Sequence, residues 1–281
     1  MSLNDINISP EVKSWVLEQS AVHAPNILWD TMINSGWDRL LSANTIEIVL
    51  GVELIKKEPL VIAKDMPFIN LIDMPTYLNA GDKLVSVLAV VKNPHVVVLG
   101  DVLSSEECDQ LVAFAQPKMK RSKTVDTKTG GEEVNDVRTS SGMFFGRKEN
   151  NIVALLEKRI ANLINWPEEK GEGLQILQYK PGAEYKPHYD YFDPNYSSTA
   201  TIIKRGGQRL GTFIIYLKEP TKGGGTIFPD INFEVLPKKG NAVFFSYPVA
   251  AESSLTLHGG SPIVEGEKWI ATKWLRESNF N

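Results

Sequence analysis

The chain is 281 residues long and 31.3 kDa, enough for one large domain or for one domain with a small companion, and enough to bury a core without disulfide staples. At 42% hydrophobic and 23% charged residues it has the composition of a soluble globular protein, which excludes a disordered or collagen-like chain. With 30 Lys and Arg against 34 Asp and Glu, a net charge of −4, the balance does not mark a binder of nucleic acid or of an anionic membrane.

Met1 to Pro10 carries neither a positive leader nor an apolar stretch, and no apolar run approaches the roughly 20 residues that span a bilayer. The expectation is a soluble, intracellular, cytoplasmic protein. Residues 1–56 read as helical. Ser9-Pro10-Glu11 is a helix start, with a cap residue followed by proline in the first turn. Val12, Trp15, Val16 and Gln19 follow at helical spacing, and Leu28, Trp29, Met32 and Ile33 form a second apolar stripe that Gly36 closes. These tryptophans read as core packing. Residues 57–83 break into short apolar runs around Pro59, Pro67, Pro75 and Gly81. A soft boundary near 83 then separates an N-terminal helical and irregular region, 1–83, from a second domain, 84–281.

The second domain opens on two β-branched runs, Leu84–Val91 and His95–Leu99. Ser104 to Glu107 is a capping box, and Cys108, Leu111, Val112 and Ala115 make the buried stripe of the helix it starts. Cys108 is the single cysteine, so no internal disulfide exists and a reducing compartment is the natural setting. Arg121–Gly142 is a polar loop. Ile152, Leu155, Leu156, Ile160, Leu163 and Ile164 outline a second helix ended by Pro167. Beyond it the pattern is almost all strand: Gln175–Lys180, Gly211–Lys218, Phe233–Leu236, Asn241–Tyr247, Ser254–His258 and Lys268–Leu275. Helices first and strands after them predict an α+β, mainly β fold: a sandwich or jelly-roll core with flanking helices.

Two of the four histidines stand in chemically suggestive places. In extended backbone, residues i and i+2 share a side, so His188 and Asp190 converge on one point. His258, near the end of a later run, is the best third donor. Two imidazoles and one carboxylate on one side of an ion, with open positions opposite, form the facial triad of non-haem Fe(II) oxygenases. A His-x-Asp pattern alone also arises among purely structural residues. Lys268, ten residues after His258, adds a cation that can anchor the distal carboxylate of a dianionic co-substrate; its other reading is a solvated strand lysine.

From Asn93 to Arg276 the chain resembles the catalytic domain of the prolyl 4-hydroxylases, the Fe(II)/2-oxoglutarate dioxygenases built on a double-stranded β-helix, or jelly roll. The stretches that carry the resemblance, in order, are "LSSEECDQLVAFA", "VRTSSGMFF", "LQILQYKPGAEYKPHYDYF", "QRLGTFIIYL", "GGGTIFP", "GNAVFFS" and "HGGSPIVEGEKWIATKWL". Residues before about 83 are not covered. The resemblance implies that His188, Asp190 and His258 hold Fe(II) and that Lys268 pairs with the C5 carboxylate of 2-oxoglutarate. It implies that Tyr179, Thr226 and Trp274 line the co-substrate pocket, and that Tyr185 and Arg209 contact the substrate peptide. Packing alone would also account for Tyr185 and Trp274, and a carboxylate partner for Arg209. The implied reaction is C4 hydroxylation of a peptidyl proline by O2, with decarboxylation of 2-oxoglutarate to succinate and ascorbate as reductant.

Two positions depart from the family pattern. Gly225 stands where "GGET" has a glutamate, and Arg276 where some relatives carry histidine. Both put the substrate in question more than the reaction. Ile214, Tyr216, Val243 and Phe245 suit the wall of a dry pocket, and the polar segments Arg121–Gly142 and Asp193–Gln208 suit lids that grip a peptide. The implied partner is a proline-containing peptide or protein, with no nucleic acid or membrane, and a homodimer is left open. Two rivals remain at this stage: the same chemistry on another residue or a small molecule, and a jelly-roll peptide-binding module without catalysis.

Overall fold

The computed structural model describes residues 8–37, 39–52, 54, 66–121, 124–125, 132–133 and 139–280. The chain splits into two compact units, Met1–Val61 and Ile62–Asn281. The division therefore falls well before residue 83. Met66, Ile69 and Ala80 are buried in the main core of the second unit, and Tyr77–Asn79 pairs with Leu84–Val91. Prolines obscure this in the sequence, because they break the periodicity without preventing the segment from packing.

The first unit is three helices: α1 (Pro10–Ser20), α2 (Pro25–Asn34) and α3 (Arg39–Leu50). The Ser9 hydroxyl accepts from the Val12 amide and caps α1. Val16, Leu28, Trp29, Met32, Ala43 and Ile46 form its core, with Trp15 packed against them.

The second unit begins with β1 (Tyr77–Asn79), β2 (Leu84–Val91), β3 (His95–Gly100), α4 (Ser105–Ala115), β4 (Lys120–Arg121), β5 (Thr124–Val125), β6 (Glu132–Glu133), β7 (Ser141–Phe145) and α5 (Asn151–Ile164). It continues with β8 (Leu174–Tyr179), β9 (Tyr185–His188), α6 (Thr199–Ile202), β10 (Arg209–Lys218), β11 (Lys222–Gly223), β12 (Thr226–Phe228), β13 (Phe233–Val235), β14 (Ala242–Ser246), β15 (His258–Gly260), β16 (Ile263–Glu265) and β17 (Lys268–Arg276). The capping box of α4 forms as its sequence requires, and α5 ends on Asn165 in the left-handed conformation, just before Trp166 and Pro167.

The nine-stranded sheet has the order β1-β2-β3-β14-β10-β17-β8-β7-β4, and a four-stranded sheet the order β13-β12-β15-β9. The pairings of both are antiparallel, the arrangement of a jelly roll with helices outside. Strand alternation assigns the two faces. Phe213, Ile215 and Leu217 of β10, Ala242 and Phe244 of β14, and Trp269, Ala271 and Leu275 of β17 pack in one cluster with α4 and α5. The intervening Ile214, Tyr216, Val243, Phe245 and Ile270 join Phe228 and Val235 of the smaller sheet in a second cluster. The functional site is cut into that second, inner layer.

One strand expectation fails. Ser254–His258 is a 3₁₀ turn, Glu252–Ser254, followed by irregular backbone, and the strand begins only at His258. The Ser254 and Thr256 hydroxyls bond each other at 2.9 Å, and Leu255 is left-handed at φ +54°. Side-chain bonding of this local kind competes with a strand ladder. No helix among the described residues is long and apolar enough to cross a membrane.

Candidate active site

His188 is the last residue of β9 and His258 the first of β15, and the two face each other in the register of that pair. Gly259 permits the approach, since a Cβ there would lie 2.9 Å from the Tyr185 carbonyl oxygen. Asp190, two residues beyond His188, places its Oδ1 3.6 Å from His188 Nε2 and its Oδ2 3.4 Å from His258 Nε2. The three donor atoms lie within 4.8 Å of one another. Each imidazole has its Nδ1 against a backbone carbonyl two residues earlier, at 2.9 Å to Lys186 and 3.0 Å to Thr256. With Nδ1–H donating there, both Nε2 lone pairs are turned inward, the tautomer a metal requires.

The electrostatics agree. Burial lowers the His188 imidazole, and the neighbouring His258 lowers it further, which favours the neutral, ligating form. Burial alone would raise Asp190. The two adjacent imidazoles, wherever one of them takes up a proton, outweigh it, and the carboxyl is held well below its usual range. Phe245, one of the residues expected to keep the pocket dry, packs its ring 4.6 Å from that of His258.

A pocket opens from the triad. Leu177, Tyr179, Tyr185, Ile214, Thr226, Lys268, Ile270, Thr272 and Trp274 line it with the three donors. Lys268 is 2% exposed, so the solvated-lysine reading does not hold. Its ammonium donates to the Gly224 carbonyl at 2.6 Å and lies 5.0 Å over the Tyr179 ring. Among the described residues no carboxylate pairs with it. Burial pushes it down to about 8. A Cβ on Gly260 would come 3.5 Å from Nζ, so glycine keeps the lane to the ammonium open. Gly260 lies two residues along β15 from His258, a rise of roughly 7 Å. An anion whose other end chelates a metal at the triad fits that span.

The residues 174–276 match the family model described as the 2OG-Fe(II) oxygenase superfamily. Prolyl 4-hydroxylase 5 of Arabidopsis thaliana is 39% identical over 221 residues, covering 71% of this chain and 74% of the relative. Prolyl 4-hydroxylase 1 of the same plant is 42% identical over 202 residues, covering 66% and 70%. The viral collagen prolyl hydroxylase vCPH of Paramecium bursaria Chlorella virus-1, solved as a 2OG complex, superposes with a TM-score of 0.52 at 29% identity, over 67% of this chain and 99% of its own. The chain belongs to the prolyl 4-hydroxylase family. Members of the family are Fe(II)- and 2-oxoglutarate-dependent oxygenases, and the His₂Asp donor set with an anion-seeking lysine behind it suits both groups.

For this prolyl 4-hydroxylase homologue the structure also separates the expected residues. Tyr179 faces Lys268 across the β8–β17 pair. The Tyr216 hydroxyl donates to Thr226 Oγ1 at 2.8 Å, which leaves the threonine proton available to the pocket. Tyr185 stacks on the His188 ring, with centroids 3.7 Å apart. Trp274 lines the pocket, and its buried indole N–H has no partner among the described residues. Arg209 does not reach the pocket lining. Its guanidinium lies 3.9 Å over the Trp274 ring and grips Glu172 in a bidentate pair at 2.7 and 3.0 Å. Arg276 bonds the same carboxylate at 2.8 Å and the Gly207 carbonyl. Burial opposes ionisation of Glu172, but the two arginines outweigh it and hold its pKa down.

At the other departure, the space beside Gly225 is filled by Glu234, whose Oε1 would lie 2.0 Å from an added Cβ. Of the two lid candidates, most of Arg121–Gly142 lies outside the described residues. Asp193–Gln208 contains the short helix α6 and is tied at its ends, where the Gln208 side chain bonds both the amide and the carbonyl of Phe192.

Sequence reasoning missed Glu172, Thr212 and Tyr247. Glu172 sits between two glycines before a strand, and its signal would have been a lone acid facing two arginines. Thr212 and Tyr247 carry no local signal, because they come together behind Asp190 only through the pairing of β10 with β14.

Proposed function

We propose that this chain hydroxylates C4 of a proline within a peptide or protein, with O2 and 2-oxoglutarate as co-substrates, Fe(II) as the metal and ascorbate as reductant. The observation that carries the reading is Lys268, a buried ammonium with no carboxylate partner among the described residues, beside a metal-competent triad. An uncompensated buried charge is costly, so a protein that keeps one has a ligand to complete it. His188, Asp190 and His258 would hold the iron by three donors on one side, leaving the opposite side for substrate. Lys268 would take the C5 carboxylate, with Tyr179 and Thr226 beside it, and so aim the keto acid end at the metal. When bound, the metal and keto acid supply the oxidising chemistry; the protein orients them and excludes water through Leu177, Ile214 and Ile270. Tyr185 and Trp274 stand at the pocket as surfaces for the substrate ring.

The prolyl 4-hydroxylases of Arabidopsis among its relatives support proline as the target. The test is incubation with proline-rich peptides, Fe(II), 2-oxoglutarate and O2. The expected outcome is a peptide gaining one oxygen at proline, with matching succinate, and neither product from Asp190→Ala. Succinate formed while a broad peptide library stays unmodified would move the target elsewhere.

A further inference from the structure

Asp190 is the only anionic member of the triad, and its two oxygens are not equivalent. Oδ2 accepts a hydrogen bond from Thr212 Oγ1 at 2.7 Å, while Oδ1, the oxygen nearer His188 Nε2, accepts none among the described residues. The Thr212 oxygen also lies 3.1 Å from the Tyr247 hydroxyl. All three groups are buried: Thr212 at 0%, Tyr247 at 1% and Asp190 at 8% exposure.

Proton counting gives this chain of oxygens a direction. An ionised carboxylate only accepts, so the bond to Asp190 uses the single proton of Thr212. Thr212 then has only lone pairs left for Tyr247, and the tyrosine must donate. The order is Tyr247 O–H to Thr212 Oγ1, and Thr212 O–H to Asp190 Oδ2. Thr212 and Phe245 are cross-strand partners of β10 and β14, and Tyr247 follows two residues after Phe245, so the arrangement is set by two rigid strands. Asp190 itself stands just beyond the end of β9 and has no strand to hold it.

We infer that Tyr247 and Thr212 form a positioning relay that fixes the Asp190 carboxylate as a one-oxygen ligand, tying Oδ2 to the strand wall and presenting Oδ1 to the metal. Neither residue lines the pocket. Both act through Asp190, and a one-oxygen carboxylate keeps a coordination position free that a two-oxygen one would occupy. The inference rests on Asp190 being a metal ligand. Bonds of this kind behind a ligand typically carry 10- to 100-fold in metal affinity.

The experiment is anaerobic titration of Co(II) into metal-free protein, followed by binding heat and by visible absorption, which reports coordination number. Thr212→Val, which removes the hydroxyl at nearly constant shape, is expected to weaken Co(II) binding about 10- to 100-fold and to change the absorption band. Thr212→Ser restores affinity and band. Tyr247→Phe weakens binding by about 2- to 10-fold, as for one neutral hydrogen bond acting at a remove. A purely structural role would lower the melting temperature of the metal-free protein and leave the affinity alone. Wild-type affinity in Thr212→Val, or a Thr212→Ser as weak as the valine variant, overturns the relay. If Thr212→Val does not fold, Tyr247→Phe decides: unchanged affinity and band there overturn it. Asp190→Ala binding Co(II) like wild type would instead overturn the triad itself, a result distinct from failure of the relay.

Discussion

Lys268 and Lys273 lie five residues apart on one strand, both 2% exposed, and they have opposite fates. The odd interval turns them to opposite faces of the large sheet. Lys273 points to the helix layer, where the buried carboxylate of Glu157 on α5 receives it. Lys268 points into the jelly roll and finds a carbonyl and a tyrosine ring. The other buried cations are matched as well: Arg159 by Asp82 and Glu107, and Arg209 and Arg276 by the shared Glu172. A buried cation whose anion is in the chain is architecture. A buried cation whose anion is missing is half of a binding site. The arginines that could have rivalled Lys268 for an anionic co-substrate are already paired.

The comparison breaks most directly by truncation. Removing one partner of a buried charge pair costs about 3–5 kcal/mol, roughly 150- to 4,000-fold in a binding constant. Lys268→Ala is expected to lose that much 2-oxoglutarate affinity while retaining metal, read by anaerobic titration of the co-substrate into the Fe(II) protein. An affinity equal to wild type would return the role to an arginine. Lys273→Met should show the converse. Denaturant unfolding is expected to fall by about 3–5 kcal/mol because Glu157 keeps an unpaired buried charge, with the affinity for 2-oxoglutarate unchanged. Adding Glu157→Leu to it should recover most of the loss.

Next in size is a pH effect. In the protein without metal or co-substrate, burial depresses the folded pKa of Lys268 from 10.5 to about 8. Binding a carboxylate needs the ammonium, so affinity for 2-oxoglutarate should fall about tenfold per pH unit above about 8. Stability without co-substrate moves the other way. Between about 8 and 10.5 the unfolded lysine holds its proton and the folded one does not, so the unfolded state binds more protons and stability rises with pH. Both trends should vanish in Lys268→Met. The smallest effect sharpens the site: Tyr179→Phe removes one hydroxyl beside the lysine. It is expected to cost about 0.5–1.5 kcal/mol of 2-oxoglutarate binding, about 2- to 10-fold, with metal binding intact.

Local chemistry was legible in the residues themselves. Caps at Ser9 and Ser104 placed two helix starts, apolar and β-branched runs placed most strands of the large sheet, and the i, i+2 spacing of His188 and Asp190 aimed them at one point. His258 and Lys268 were candidates by residue type and spacing, and the ordered family stretches gave them their roles. These signals are short-range, or are carried by recognisable runs, and so survive in one dimension. What only the tertiary structure decided depends on register between distant strands. The β9–β15 pair brings His258 against His188, and the β10–β17 pair sets Thr212 beside Trp274. The same long-range pairing stacks Arg209 on that tryptophan and against Glu172, and draws residues 66–83 into the second unit. Above all it decides which buried lysine meets a carboxylate. A charge announces itself in the sequence, but the presence or absence of its partner is a fact about three-dimensional neighbours.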